Sequence, residues 1–213
     1  MRITVVYDNE IGSVGLRKGH GFSAVIEDGG VPPLLFDTGA DGPTLLHNMK
    51  ELNIDPWDIG TIVISHAHDD HTGGLSEMLS INEVAELYLP SSFKRAFPGR
   101  KVTEVKGPVQ IRENIFSTGE LEGVEQSLAL KTAKGVFVLT GCAHSGMERI
   151  LAAAAKFGDL YGIAGGFHGF HDFKLFKGLS LICPCHCTKY NQEMRDLFRG
   201  KALECGAGLS IEL

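Results

Sequence analysis

Four apolar runs in this chain end within a few residues of a histidine. Residues 61–64 lead into Ser65-His66, and residues 135–139 into Gly141-Cys142-Ala143-His144. Residues 160–164 lead into Gly165-Gly166-Phe167-His168, and residues 179–183 into Pro184-Cys185-His186. Each run is short, apolar and partly β-branched, the pattern of a buried strand. A topology that brings these four exits to one edge would gather imidazoles in loops held by a rigid scaffold, the usual setting of a functional site.

The densest stretch is His66-Ala67-His68-Asp69-Asp70-His71. On an extended backbone alternate side chains share a face, so His66 and His68 can meet the same ion. Asp70 and His71 continue into a turn that Gly73 and Gly74 permit, and they can serve a second ion beside the first. A solvated polar loop is the plain alternative. Three histidines at HxHxDH spacing directly after an apolar strand fit a metal-ligand cluster better.

The rest of the chain alternates strands with helices. Residues 3–7 read as a strand, followed by a polar, glycine-rich loop over 9–21. Residues 22–27 and 34–36 read as a hairpin across Asp28-Gly29-Gly30. Leu45, Leu46, Met49 and Leu52 follow helical spacing after Pro43, and residues 147–157 form an alanine-rich helix. Residues 75–79, 91–98 and 194–198 are expected to be short helices, and residues 87–89, 109–111, 128–132 and 209–213 further strands. The pattern implies one α/β unit over residues 1–213, with mixed sheets covered by helices.

Bulk properties narrow the function. Hydrophobic residues at 43% allow a real core. A net charge of -6 with scattered Lys and Arg argues against a nucleic-acid partner. Lys94, Arg95, Arg100 and Lys101 are the nearest approach to a basic cluster and read as a solvated surface. No apolar run is long enough to span a bilayer, and MRITVVYDNE reaches an acidic residue early, so no membrane association and a cytoplasmic location are expected. Cys183, Cys185 and Cys187 crowd around His186, while Cys142 and Cys205 stand alone in sequence. The alternating spacing differs from common zinc knuckles and favours packing thiols over a structural zinc site.

SHAHDDHTGG resembles the signature of the metallo-β-lactamase superfamily. LLFDTGAD, TGCAHSG and CPCHCT resemble its other motifs in the same order along most of the chain. With GHGFSAVIE, STGEL and AGGFH added, the chain looks like the subgroup of dihydropterin ribofuranosylaminobenzene phosphate synthases. The resemblance implies an αβ/βα sandwich, two mixed sheets face to face with helices outside. It implies two divalent metal ions, zinc first with manganese or iron as alternatives, held by His66, His68, Asp70, His71, His144 and His186. Asp37 would support the site by accepting an N–H from a ligating imidazole.

Many superfamily members supply an aspartate or cysteine that bridges the metals after the strand ending here at Ala164. This chain has Gly165-Gly166-Phe167-His168 instead, which makes His168 the candidate extra ligand or substrate contact. Asn9 and His20 are candidate substrate contacts beside the 9–21 loop. Lys174 and Lys189 could meet an anionic group, and His47 and His171 belong to no motif.

The expected activity is hydrolysis of a small molecule by hydroxide formed near neutral pH, with Asp70 holding the second metal and orienting the nucleophile. The subgroup resemblance points to a phosphoester or a phosphorylated pterin-like or nucleotide-like substrate. The alternatives are a lactone or thioester hydrolase, or a non-catalytic metal-binding or sensing protein. Oligomeric state is not legible.

Overall fold

The computed structural model describes residues 1–213. One sheet takes β1 (Arg2–Tyr7), β2 (Ser23–Glu27), β3 (Leu34–Phe36), β4 (Thr61–Val63), β5 (Glu86–Pro90) and β6 (Val102–Val105). The other takes β7 (Val109–Arg112), β8 (Ile115–Ser117), β9 (Leu128–Thr132), β10 (Gly135–Thr140), β11 (Leu160–Gly166) and β12 (Leu181–Cys185). The chain then returns to the first sheet as β13 (Ser210–Glu212). The strand orders are β13-β1-β2-β3-β4-β5-β6 and β12-β11-β10-β9-β8-β7.

Side-chain alternation explains why the sheets stack. Along β1, Val5 joins the core shared by both sheets while Val6 faces the other way. Along β10, Phe137 and Leu139 point into the shared core, and Val136 and Val138 point outward. The outward face of the first sheet is covered by α1 (Gly42–Glu51) and α3 (Leu75–Ile81), which contribute Leu45, Met49, Leu75 and Met78. The outward face of the second is covered by α4 (Met147–Ala154) and α5 (Asn191–Leu197), through Ile150, Leu151 and Met194. Strands apolar on both faces therefore require helices on both outer surfaces, which is the αβ/βα sandwich.

The parallel strands position the site. β3, β4, β5 and β6 run parallel in the first sheet, and β10, β11 and β12 in the second. Their C-terminal ends leave loops along one rim, the side on which such sheets carry ligands. Gln126 ties the sheets together just beneath it. Its buried amide donates to Ile64 O at 2.8 Å and accepts from Ser117 Oγ at 2.6 Å.

The helix expected over 91–98 does not form. Ser92 N–H donates to Glu120 at 2.8 Å, Ser91 bonds the same carboxylate, and Pro98 interrupts the run, so turns replace it. The strand expected over 179–183 forms two residues later, as β12. Pro184 is tolerated there because β12 is an edge strand. β6 and β8 are short and of mixed polarity, which hid them in the sequence. The hairpin of β2 with β3 and the helices at 43–52 and 147–157 form as expected. No helix is long and apolar enough to cross a membrane.

Candidate metal centre

The rim gathers residues from five exits. Asp37 follows β3, His66 and His68 follow β4, His144 follows β10, His168 follows β11 and His186 follows β12. Asp70 and His71 lie on a single helical turn, α2 (Asp69–Thr72). Asp37, Ala143, His168 and His186 all adopt positive φ, between 45° and 58°. Non-glycine residues in this conformation are strained, and their concentration at one rim marks a functional constraint.

His66, His68 and His144 form the first cluster. His66 Nε2 and His68 Nδ1 stand 3.1 Å apart, and the ring of His144 lies 4.7 Å from each of theirs. Ser65 Oγ–H donates to Asp37 Oδ2 at 2.7 Å, so His66 Nδ1–H donates to Ser65 Oγ at 2.8 Å. That leaves the His66 Nε2 lone pair facing its neighbours. Burial, and then the neighbouring imidazoles, holds His66 far below its ordinary pKa. Burial and then His168 pull His144 down to about 4. Both are neutral at pH 7, the state a ligand requires. His144 Nε2 is buried and has no hydrogen-bond partner.

Asp70, His71 and His186 form the second cluster. Asp70 Oδ2 lies 3.1 Å from His186 Nε2 and 3.8 Å from His71 Nε2. His71 Nδ1–H donates to the fully buried Asp37 Oδ2 at 2.7 Å. Burial alone would lower the pKa of His71, but the Asp37 charge and hydrogen bond outweigh it and raise the value. His186 is pulled down to about 3, by burial first and then by His71. Burial tends to raise Asp70, yet His71 and His186 keep it below the ordinary carboxylate value.

Asp37 connects to both clusters: Oδ2 takes the His71 and Ser65 hydrogens, and Oδ1 takes Ser65 N–H at 2.6 Å. Asn9 departs from its expected role. Its Oδ1 accepts His186 Nδ1–H at 2.8 Å and Gly21 N–H at 3.1 Å, so it aims a histidine rather than facing open space. His20 is exposed, with Nε2 3.4 Å from Asp70 Oδ2. Gly21 permits this approach, since a Cβ there would stand 2.5 Å from Asp70 O. His168 is exposed at the margin, its ring 4.7 Å from that of His144 and its Nδ1 3.2 Å from Cys187 Sγ. His47 bonds Gly15 O, and His171 packs beside Tyr190 and Glu193, both outside the centre. Lys174 lines a separate hollow with His171 and Phe173, and Lys189 lies over the Tyr190 ring.

The family model of the Metallo-beta-lactamase superfamily matches residues 16–200 of the chain. The chain belongs to that superfamily. Its 7,8-dihydropterin-6-methyl-4-(beta-D-ribofuranosyl)-aminobenzene-5'-phosphate synthase relative from Methanocaldococcus jannaschii is 29% identical, with 82% of each chain covered. Among solved structures, a metal-dependent hydrolase of the beta-lactamase superfamily, Tm1679, aligns over 100% of this chain and 99% of its own, at 26% identity and a TM-score of 0.78. The metallo-beta-lactamase fold protein YhfI from Bacillus subtilis aligns over 99% and 98% with a TM-score of 0.70, and at 11% identity it supports the fold.

The superfamily binds divalent metals, and the donor set of this member fits such ions. His66, His144 and His186 are held neutral, N–H groups of His71, His66 and His186 are engaged by Asp37, Ser65 and Asn9, and one buried Nε2 has no other partner. Sequence reasoning missed several supporting groups. Buried Glu125 accepts from both the N–H and Oγ–H of Ser145, fixing the loop that carries His144, and Gln126 holds the strand exit before His66. Nothing in the local sequence marks either. The two cysteines thought to stand alone also do not. Cys142 Sγ lies 3.3 Å from Cys187 Sγ, and Cys205 groups with Cys183 and Cys185 in the buried core.

Proposed function

We propose that the protein is a di-metal hydrolase, zinc-loaded, acting in the cytoplasm on a small phosphoester such as a phosphorylated pterin-like or nucleotide-like molecule. The observation that carries the metal reading is the unpartnered, buried Nε2 of His144 beside His66 and His68. Divalent ions held by these residues would lower the pKa of water and polarise the scissile oxygen.

The chain's own residues supply the rest. Asp70 and His186 share one face of the centre, and Asp70 Oδ2 is placed to accept a hydrogen bond from the attacking water and so to orient it. Asn9 and Asp37 fix the rings of His186 and His71, so neither ligand loses its aim during turnover. His20, exposed beside Asp70, is placed to meet the substrate.

An anionic substrate is supported by a hollow of about 360 Å³ adjoining the histidine-bearing loop. It is lined by Ala67, Asp69 and Thr72 on the loop side, and by Phe93, Lys94 and Arg95 opposite. An aromatic residue and two basic residues in one hollow suit a phosphorylated aromatic compound. The name of the Methanocaldococcus jannaschii relative, with its dihydropterin and 5'-phosphate, is in keeping with that chemistry.

The test is hydrolysis of generic phosphodiester, phosphomonoester and lactone substrates by the wild type and Asp70→Ala. Metal-dependent phosphoester turnover that Asp70→Ala loses is expected. Lactone turnover alone would move the substrate class to lactones and thioesters. Bound metal with no turnover on any of them would favour a sensing or storage role.

A further inference from the structure

Two thiols stand where the nitrogen clusters meet. Cys142 is buried, with Sγ 3.1 Å from His71 Nε2 and 3.3 Å from Cys187 Sγ. Its sulfur lies within 4.8 Å of donor atoms of His66 and His71, of His144 and His168, and of His186 and Cys187. Those donors belong to both clusters, so this one sulfur reaches both.

The exit of β11 explains why sulfur is there. It offers Gly165-Gly166 and no carboxylate. A Cβ on Gly166 would stand 2.6 Å from Cys187 Sγ and 2.5 Å from Gly141 O, so the thiols fill the space that a side chain at 166 would need. Charge points the same way. Two divalent ions would bring far more positive charge than Asp70, the one carboxylate among the facing donors, can offset, and buried uncompensated charge is costly.

The distances suit shared coordination. On a tetrahedral zinc a nitrogen and a sulfur stand about 3.5 Å apart and two sulfurs about 3.8 Å, so the donors need to part by only roughly half an ångström. The other three cysteines serve as an internal contrast. Cys183, Cys185 and Cys205 lie in the core between the sheets, where Cys185 S–H donates to Cys183 O at 3.2 Å and Cys205 S–H points to Asp8 at 3.6 Å.

We infer that Cys142 and Cys187 are thiolate ligands of the metal centre, Cys142 bridging the two ions and Cys187 binding the ion held by Asp70, His71 and His186. The inference rests on the metal reading given above. Each thiol passes its proton to solvent water on binding, and no oxidation state changes. A centre with this ligand set favours zinc, iron or cobalt over the hard ions magnesium and calcium.

Cobalt(II) replacement tests the assignment without relying on activity. Thiolate ligands give an intense near-ultraviolet charge-transfer band, which histidine and carboxylate ligands do not. The full chain loaded with cobalt should show that band. It should be largely lost in Cys142→Ser, reduced by about half in Cys187→Ser and unchanged in Cys205→Ala, with the visible bands of bound cobalt retained throughout. If Cys142→Ser fails to fold, X-ray absorption of the wild-type zinc protein decides, with sulfur at about 2.3 Å expected. Bound cobalt without charge transfer, zinc without sulfur, or a band lost only in Cys205→Ala would overturn the thiolate assignment while leaving the metal centre standing. A wild type that binds no cobalt would overturn both.

Discussion

His66, His68 and His144 crowd three imidazoles together with no carboxylate among them, whereas His71 and His186 share Asp70. The clusters sit on one rim and are built from the same residue types, yet only the second satisfies itself. Its rings have Asp70 to face, and Asp37 and Asn9 behind them. In the first, the imidazoles repel one another if charged, and His144 Nε2 has no partner. Burial holds His66 and His144 of this cluster in the neutral form that a metal ligand needs. In the proposed reaction the mixed cluster has the further task of orienting the nucleophile through Asp70.

The largest effects should come from breaking each cluster separately. His66→Ala and Asp70→Ala should each remove one metal equivalent and abolish hydrolysis, a loss beyond the roughly 10–100-fold typical of outer supporting groups. Metal analysis with steady-state assays would show it, and full activity in either variant would mean that one cluster is dispensable. Asp37→Asn comes next. It keeps the shape but removes the acceptor that both clusters use, so metal affinity measured by competition with a chelator should fall about 10–100-fold. An unchanged affinity would leave Asp37 as packing.

Acid should separate the clusters next. His144 and His186 have folded-state pKa values of about 4 and about 3, below the ordinary value near 6.5. The unfolded chain therefore binds protons that the folded one refuses, so their contribution to stability is full above about pH 6.5 and is lost as pH falls through about 4 for His144 and about 3 for His186. His71 is raised, so its contribution has the opposite sign, present below about pH 6.5 and lost as pH rises through its folded value. Thermal unfolding of chelated protein should show a Tm that drops from pH 7 to pH 5, with the drop reduced in His144→Ala. A flat profile would contradict the neutral-imidazole picture.

The smallest effects belong to the substrate side. Lys94→Ala with Arg95→Ala should raise KM for a phosphoester several-fold and leave kcat nearly unchanged, the mark of lost uniform binding. An equal fall in kcat would place these cations nearer the chemistry.

All six residues of the two clusters were legible as candidates, four of them because their spacing is local. HxHxDH lies in six consecutive positions, and His144 and His186 follow apolar runs whose ends the sheets bring together. The mixed strands and helices were legible from their periodicity, while the sandwich followed from the resemblance carried by SHAHDDHTGG and the motifs around it. What escaped depends on contacts between distant positions. Cys142 and Cys187 are 45 residues apart and looked unrelated until β10 and β12 placed their loops side by side. Asn9 looked like a pocket residue because nothing in its own neighbourhood names His186 as its partner. The failed helix at 91–98 has the same origin, since Glu120 captures its first turn from 28 and 29 residues away.

The most direct test of the whole account is to strip the purified protein with a chelator, restore zinc stepwise, and follow bound metal and phosphoester hydrolysis together. Activity should return with the metal and saturate at two equivalents per chain, while Asp70→Ala should saturate at one and stay inactive. Hydrolysis that survives complete removal of metal, or a protein that takes up none, would contradict it.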